Sequence, residues 1–300
     1  MKELFPLSGI VTVLNTPFDK RGDIDLPSLR KNVRYALDAG VAGFLIPALA
    51  SEVATLSLTE RLQMVETVME EAAGKVPVFA GAGEADPEKR KLLVKEYLNV
   101  GCRHVLLNIP FETEAQFKNQ FYEAAGLGIE TIMLQDWSAG RYGLPDDLIL
   151  ELFHEVEAFR CLKVETVPAG VKYSRLLALT DGKLHLSGGW AVTQMIEGLQ
   201  RGVHAFMPTG MHKTYCRIYD YFKAGEFEKA ETLFYQLLPV LAFSNQHLDI
   251  SIHFFKRLLY QQGIYTTPNT RANLLPFDAI HEQTADGLIK RVIALEGKVV

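Results

Sequence analysis

Residues 160–166 read Arg160-Cys161-Leu162-Lys163-Val164-Glu165-Thr166, a short apolar run with a lysine at its centre. In an extended chain successive side chains point to opposite faces. Lys163 and Glu165 therefore share one face, and Leu162 and Val164 share the other. The apolar pair suits a face covered by helices, which sends Lys163 the opposite way. Lysine is seldom buried, because desolvating an ammonium is costly unless it is paired or neutralised. Two readings follow. In one, Lys163 ends an edge strand and snorkels to water or pairs with Glu165. In the other, it is an enclosed amine; burial lowers a lysine pKa, and the neutral amine attacks carbonyl carbons to form Schiff bases. The neighbouring sequence decides between them.

Working outward, short β-branched runs alternate with longer amphipathic ones. Strands are expected at residues 9–14, 44–46, 76–80, 104–107, 131–134, 161–165, 184–186 and 204–207. Helices are expected at 26–39, opened by Asp25 and closed by Gly40, then from about 57 through Met69, at 86–100, through Phe117 and Phe121, at 145–158 and at 192–201. Eight such units in about 220 residues match an α/β fold of the (β/α)8 TIM barrel type, since right-handed crossovers give a parallel sheet with helices outside. An open doubly wound sheet would also alternate, but no G-x-G-x-x-G follows the first strand. Residues 226–243, 250–262 and 278–295 read as helices with no strands between them. The expected organisation is a barrel catalytic domain over 1–224 and a C-terminal helical extension over 225–300. No Gly/Ser-rich linker separates the two.

Composition removes several classes of function. Among 300 residues the net charge is −5, with no basic cluster suited to nucleic acid or to a membrane surface. No apolar run approaches a membrane span, and the first residues lack a signal-peptide pattern. Three widely spaced cysteines read as free thiols in a reducing cytoplasm, and the eight histidines follow no metal-ligand spacing, so no metal is expected.

Barrel enzymes carry their chemistry at the C-terminal ends of the strands. At those places stand Leu49, Ala50, Ser51 and Glu52 after strand two, and Gln135 and Asp136 after strand five. Lys163, Glu165 and Thr166 lie on strand six, Gly188, Gly189 and Trp190 after strand seven, and Met207 at the end of strand eight. An amine inside a barrel near that mouth is hard to explain by snorkelling. Lys163 is therefore read as the nucleophile. Glu165 is read as its base or tuning partner, set against a structural ion pair. Ser51 and the backbone N–H groups of residues 49–51 are candidates for binding a substrate carboxylate, whereas Glu52 is read as a structural acceptor for buried backbone donors. Gln135, Asp136 and Thr166 are candidates for substrate hydroxyls, although Asp136 could open a turn and Thr166 could cap one. Gly188 and Gly189 would admit substrate close to the backbone, or would simply form a tight turn.

At these residues the chain resembles a known family. The carriers are residues 9–18 (GIVTVLNTPF), 51–57 (SEVATLS), 77–83 (PVFAGAG), Leu162-Lys163, and Gln261-Gln262-Gly263-Ile264, in that order over nearly the whole length. They are similar to the pyruvate-dependent class I aldolases and dehydratases of the dihydrodipicolinate synthase/N-acetylneuraminate lyase type. The resemblance implies a (β/α)8 barrel with a C-terminal helical extension, a homotetramer, a small 2-oxo acid as substrate, no cofactor, and Lys163 as the Schiff-base lysine. The chain also departs from the pattern. The family's Gly-Thr-Thr-Gly-Glu loop is Ala48-Leu49-Ala50-Ser51-Glu52 here, the proton-relaying tyrosine of strand five falls on Leu134, and a second falls near Glu112. The strings Gln135-Asp136 and Lys163-Val164-Glu165-Thr166 resemble the dehydratases of 2-keto-3-deoxy-pentonates. Loss of the strand-five tyrosine favours dehydration over retro-aldol cleavage of a 2-keto-3-deoxy sugar acid to pyruvate and an aldehyde. A member that binds an oxo acid without turnover is the third reading.

Overall fold

In the computed structural model, which describes residues 2–138 and 142–299, eight parallel strands close into a barrel in sequence order. They are β1 Gly9–Val13, β2 Gly43–Ile46, β3 Val78–Ala82, β4 His104–Leu107, β5 Thr131–Ser138, β6 Phe159–Thr166, β7 His185–Gly188 and β8 Ala205–Phe206. The helices after them are α1 Leu26–Asp38, α2 Leu58–Ala72, α3 Pro87–Asn99, α4 Glu114–Ala125, α5 Asp146–Glu155, α6 Gly170–Leu179, α7 Met195–Gln200 and α8 His212–Lys223. Four more follow without strands: α9 Phe227–Tyr235, α10 Leu238–Ser244, α11 Leu248–Gln261 and α12 Ala279–Glu296. This is a (β/α)8 barrel with C-terminal helices. Among the described residues no helix is long and apolar enough to cross a membrane.

Local signals set several boundaries. Asp25 accepts from Ser28 N at the start of α1, Ser57 and Glu60 form a reciprocal capping box on α2, and Asp86 caps α3. Helix α6 goes unassigned in the sequence reading because Ala169, at its N-cap, offers no side-chain acceptor. The stretch 226–243 reads as one helix but is two. Pro239 lies in the first turn of α10, where its missing N–H costs nothing, and it could not sit inside a continuous helix. Strands β5 and β6 both run longer than the apolar runs suggest. That puts Gln135, Asp136 and Thr166 within paired strand, where their facing is fixed.

The chain forms two compact units, residues 1–11 with 77–207 and residues 12–76 with 208–300. The second unit runs across position 224. In the first unit β5 and β6 pair with one irregularity beside Ile132 and Met133, after which Met133 faces Cys161, Leu134 faces Leu162, Gln135 faces Lys163 and Asp136 faces Val164. On β7, Ser187 lies opposite Lys163. In the second unit, His212 of α8 is buried between Thr12 Oγ1 at 2.8 Å and Asn32 Oδ1 at 3.3 Å, and burial pulls its pKa down to about 4.

Candidate active site

The first unit holds the lysine. Asp136 lies on the Leu162–Val164 face and pairs with Lys172 of α6, so that face is the helix-covered one. Gln135 and Lys163, one residue out of phase, project from the other face, towards the barrel interior. Lys163 is buried, its side chain 6% exposed, and its Nζ lies 3.0 Å from Oε1 of Glu165, whose side chain is 10% exposed. The two stand at ion-pair distance in near-absence of water, where attraction between opposite charges is strongest.

Glu165 is held on every side. Its Oε1 also accepts the Trp190 backbone N–H at 3.0 Å, and its Oε2 accepts Nε2 of Gln135. Gln135 in turn accepts Nδ2–H of Asn108, just past β4, on its Oε1 at 2.9 Å. The Cα of Gly189 forms the floor under Glu165: a methyl group there would stand 2.3 Å from Glu165 Cγ and from Oε1. Close approach at Gly189 is thus already taken up by Glu165. Gly188 meets the Phe206 ring and the Tyr173 hydroxyl instead, either of which a Cβ would approach to 2.8 Å. Met207 is buried, and its N–H donates to Gly188 O at 2.8 Å.

Unit one therefore brings Lys163, Glu165, Gln135 and Gly189 together. Asp136 and Thr166 lie elsewhere, on the helix-covered face. Asp136 Oδ1 accepts Leu144 N at 2.8 Å, and Lys172 Nζ donates to Leu144 O at 2.7 Å and to Tyr142 O at 3.0 Å. Burial pushes the Asp136 carboxyl up and the Lys172 ammonium down, each opposed by the other's charge. Gly143, at φ +91°, passes so close that a Cβ would lie 2.3 Å from Asp136 Oδ1 and 2.6 Å from Thr166 Cγ2. Asp136 thus sits inside a strand, not at a turn. It clasps the chain that leads into α5.

Leu134 needs correction. It lies opposite Leu162 and points away from Lys163; the strand-five side chain on the lysine's face is Gln135. The period of two decides this, and a shift of one residue reverses every side chain. Glu112 is exposed in the loop between β4 and α4. Asn108 belongs to no motif of the sequence. Its place directly after a strand was the available signal.

The second unit holds the loop after β2, a single turn of 3-10 helix at Leu49–Ser51. Leu49 is exposed and Ala50 half-buried. Ser51 is buried; its hydroxyl donates to Leu14 O at 2.5 Å and accepts from Ala48 N at 3.0 Å, while its N–H donates to Ala48 O at 2.8 Å. Asn15 and Thr16 donate to the carbonyls of Ala50 and Ser51, both at 2.6 Å. Glu52, in the left-handed region at φ 55°, is wholly buried. It pairs with Lys256 of α11 at 2.5 Å and accepts the backbone N–H groups of Arg271 and Ala272, both at 2.7 Å. It thus satisfies buried backbone donors. Burial lowers Lys256 to about 8, against the pull of Glu52.

Fold and site together define a (β/α)8 barrel carrying a buried amine–carboxylate pair on the inner face of strand six. Residues 6–125 match the dihydrodipicolinate synthetase family. The whole chain is similar to the 4-hydroxy-tetrahydrodipicolinate synthase of Xanthomonas campestris pv. campestris, at 28% identity over 97% of this chain and 96% of that protein. Its fold is that of the dihydrodipicolinate synthase structure from Rhodopseudomonas palustris, with a TM-score of 0.87 at 19% identity over 97% of this chain and all of that one. A monomeric dihydrodipicolinate synthase variant is similar in fold too, at a TM-score of 0.85 and 22% identity, over 98% of this chain and 97% of that one.

Proposed function

We propose that this chain is a lyase that forms a Schiff base between Lys163 and a 2-oxo acid, and that its reaction is the dehydration of a 2-keto-3-deoxy sugar acid. The observation that carries the reading is the Lys163–Glu165 pair, 3.0 Å apart and shielded from water. The amine of Lys163 attacks the C2 carbonyl, and water leaves to give an iminium. The cation withdraws electrons from C3, whose proton passes to a base. The electron pair released forms the C3–C4 double bond as the 4-hydroxyl, protonated, departs as water. Tautomerisation and hydrolysis free the product and regenerate the amine. Glu165 is the group within reach of the nitrogen for proton transfer, an assistance worth about 10²–10⁴-fold.

Retro-aldol cleavage requires a base on the 4-hydroxyl instead. The named synthase relatives keep this second reading alive, but the strand-five neighbour of Lys163 is the amide of Gln135, which accepts no proton at neutral pH. Dehydration asks nothing of that position beyond a hydrogen bond to a substrate hydroxyl. The family resemblance supports a homotetramer.

The test is reduction with borohydride in the presence of pyruvate or a 2-keto-3-deoxy-pentonate, followed by peptide mass spectrometry and product analysis. A reduced adduct on Lys163, with loss of water from the pentonate, is the expected result. Release of pyruvate from the pentonate would convert the assignment to an aldolase. Adduct on Lys163 with no turnover would mean an oxo-acid binder. No adduct on Lys163 would end the Schiff-base reading.

A further inference from the structure

Glutamine carries a donor at one end of its amide and an acceptor at the other, and half a turn about the last bond exchanges them with little steric change. The orientation of Gln135 therefore needs a cause. One end faces Oε2 of Glu165 and the other faces Asn108. Reversing the amide would set the Gln135 oxygen against the Glu165 carboxylate, acceptor against acceptor, with both side chains largely buried. Asn108 adds to that bias by donating Nδ2–H to Gln135 Oε1 at 2.9 Å, which rewards the orientation that keeps the amide N–H on Glu165.

We propose that Asn108 is a positioning residue: it fixes the Gln135 amide so that an N–H always faces Glu165, and Glu165 thereby keeps its Oε1 towards Lys163. The inference rests on the Schiff-base reading of Lys163 and adds a residue that acts on the lysine through Gln135 and Glu165. Three donors converge on the carboxylate: Lys163 Nζ and the Trp190 N–H on Oε1, and Gln135 on Oε2. The two on Oε1 hold the oxygen that faces the reacting nitrogen. The third stops the carboxylate rotating off it, and that third donor is the one Asn108 controls. Charge-assisted bonds of this kind are about twice as strong as neutral ones, so the orientation of one amide has leverage on the pair.

The discriminating variant is Asn108→Asp, which alters the shape of the side chain very little. Ionised, it accepts where Asn108 donates, so Gln135 must turn its N–H towards residue 108 and its oxygen towards Glu165. The measurement is the rate at which pyruvate is trapped on Lys163 by cyanoborohydride in the full-length protein at pH 8, taken per folded molecule from a urea titration. Relative to wild type, Asn108→Asp is expected to be about 30-fold slower. Asn108→Ala, which removes the donor without reversing it, should lose less, the opposite of the order that mere loss of side-chain packing would give. If the wild type is trapped and Asn108→Asp matches it, or lags no more than Asn108→Ala, the relay is refuted. If the wild type is never trapped on Lys163, the functional reading fails and the relay fails with it.

Discussion

Substituting Gly189→Ala tests the site through a single methyl group. The added Cβ would lie 2.3 Å from Glu165 Cγ, 2.3 Å from its Oε1 and 2.5 Å from its Cδ, where ordinary contact begins at 3.4 Å. Glu165 or the backbone beneath it must therefore retreat by about 1 Å, the scale of misplacement that costs a reaction about 10²-fold. Such a retreat takes the carboxylate out of hydrogen-bond range of both Lys163 Nζ and the Trp190 N–H, now 3.0 Å away each. Overpacking and the loss of a charged hydrogen bond together should lower stability by about 2–4 kcal/mol. Borohydride trapping of pyruvate on Lys163 should slow by about 10²-fold in protein shown by urea titration to be folded. Gly188→Ala is the control. Its Cβ collides with the Phe206 ring and the Tyr173 hydroxyl, not with Glu165, so it should destabilise the fold and leave the trapping rate per folded molecule within a few-fold. Wild-type trapping in Gly189→Ala, or equal slowing in both variants, would refute the claim that Gly189 seats Glu165.

Three further outcomes are expected. His212 is buried and neutral, with its pKa at about 4, so the unfolded chain binds a proton that the fold refuses; the stability it protects is complete above pH 6.5 and is lost as pH falls towards 4, by about 3 kcal/mol. His185, depressed to about 3, acts in the same direction. Urea titrations at pH 7 and pH 4 should show a flatter dependence in His212→Gln, and an unchanged slope would contradict this. Lys256→Met strands the Glu52 carboxylate in the interior and should cost about 3–5 kcal/mol by thermal or urea unfolding; a loss below 1 kcal/mol would show that the Arg271 and Ala272 amides suffice for it. Asp136→Asn should lower stability by about 3 kcal/mol by removing the counter-charge of Lys172, while trapping on Lys163 stays near wild type. The reverse pattern, intact stability with trapping lost, would return Asp136 to the substrate.

The facing of Lys163 was legible in seven residues, because Leu162 and Val164 announce the helix side and the period of two does the rest. Gln135 and Asp136 were legible as polar neighbours but not as opposites. The apolar run of β5 ends at Leu134, and only the pairing with β6 shows that the strand continues and separates them. Glycine 189 shows the complementary limit. A glycine in a sequence declares open space above its Cα without saying what fills it, and here the filler is a side chain 24 residues upstream in the chain. Lys172 and Lys256 illustrate a third: each is buried against an acid from a distant segment, Asp136 and Glu52, and local sequence cannot reveal such pairings.

Glu52 ties the turn after β2 to residues 271–272 and to α11, over two hundred positions away. A chain stopped at 224 would lose all three partners of that carboxylate at once and uncover the surface they shield, the Phe18 ring included. The terminal helices are thus a keystone of the second unit and no detachable tail. Truncation at that point should yield insoluble material, whereas supplying residues 225–300 as a separate polypeptide should restore the fold by complementation.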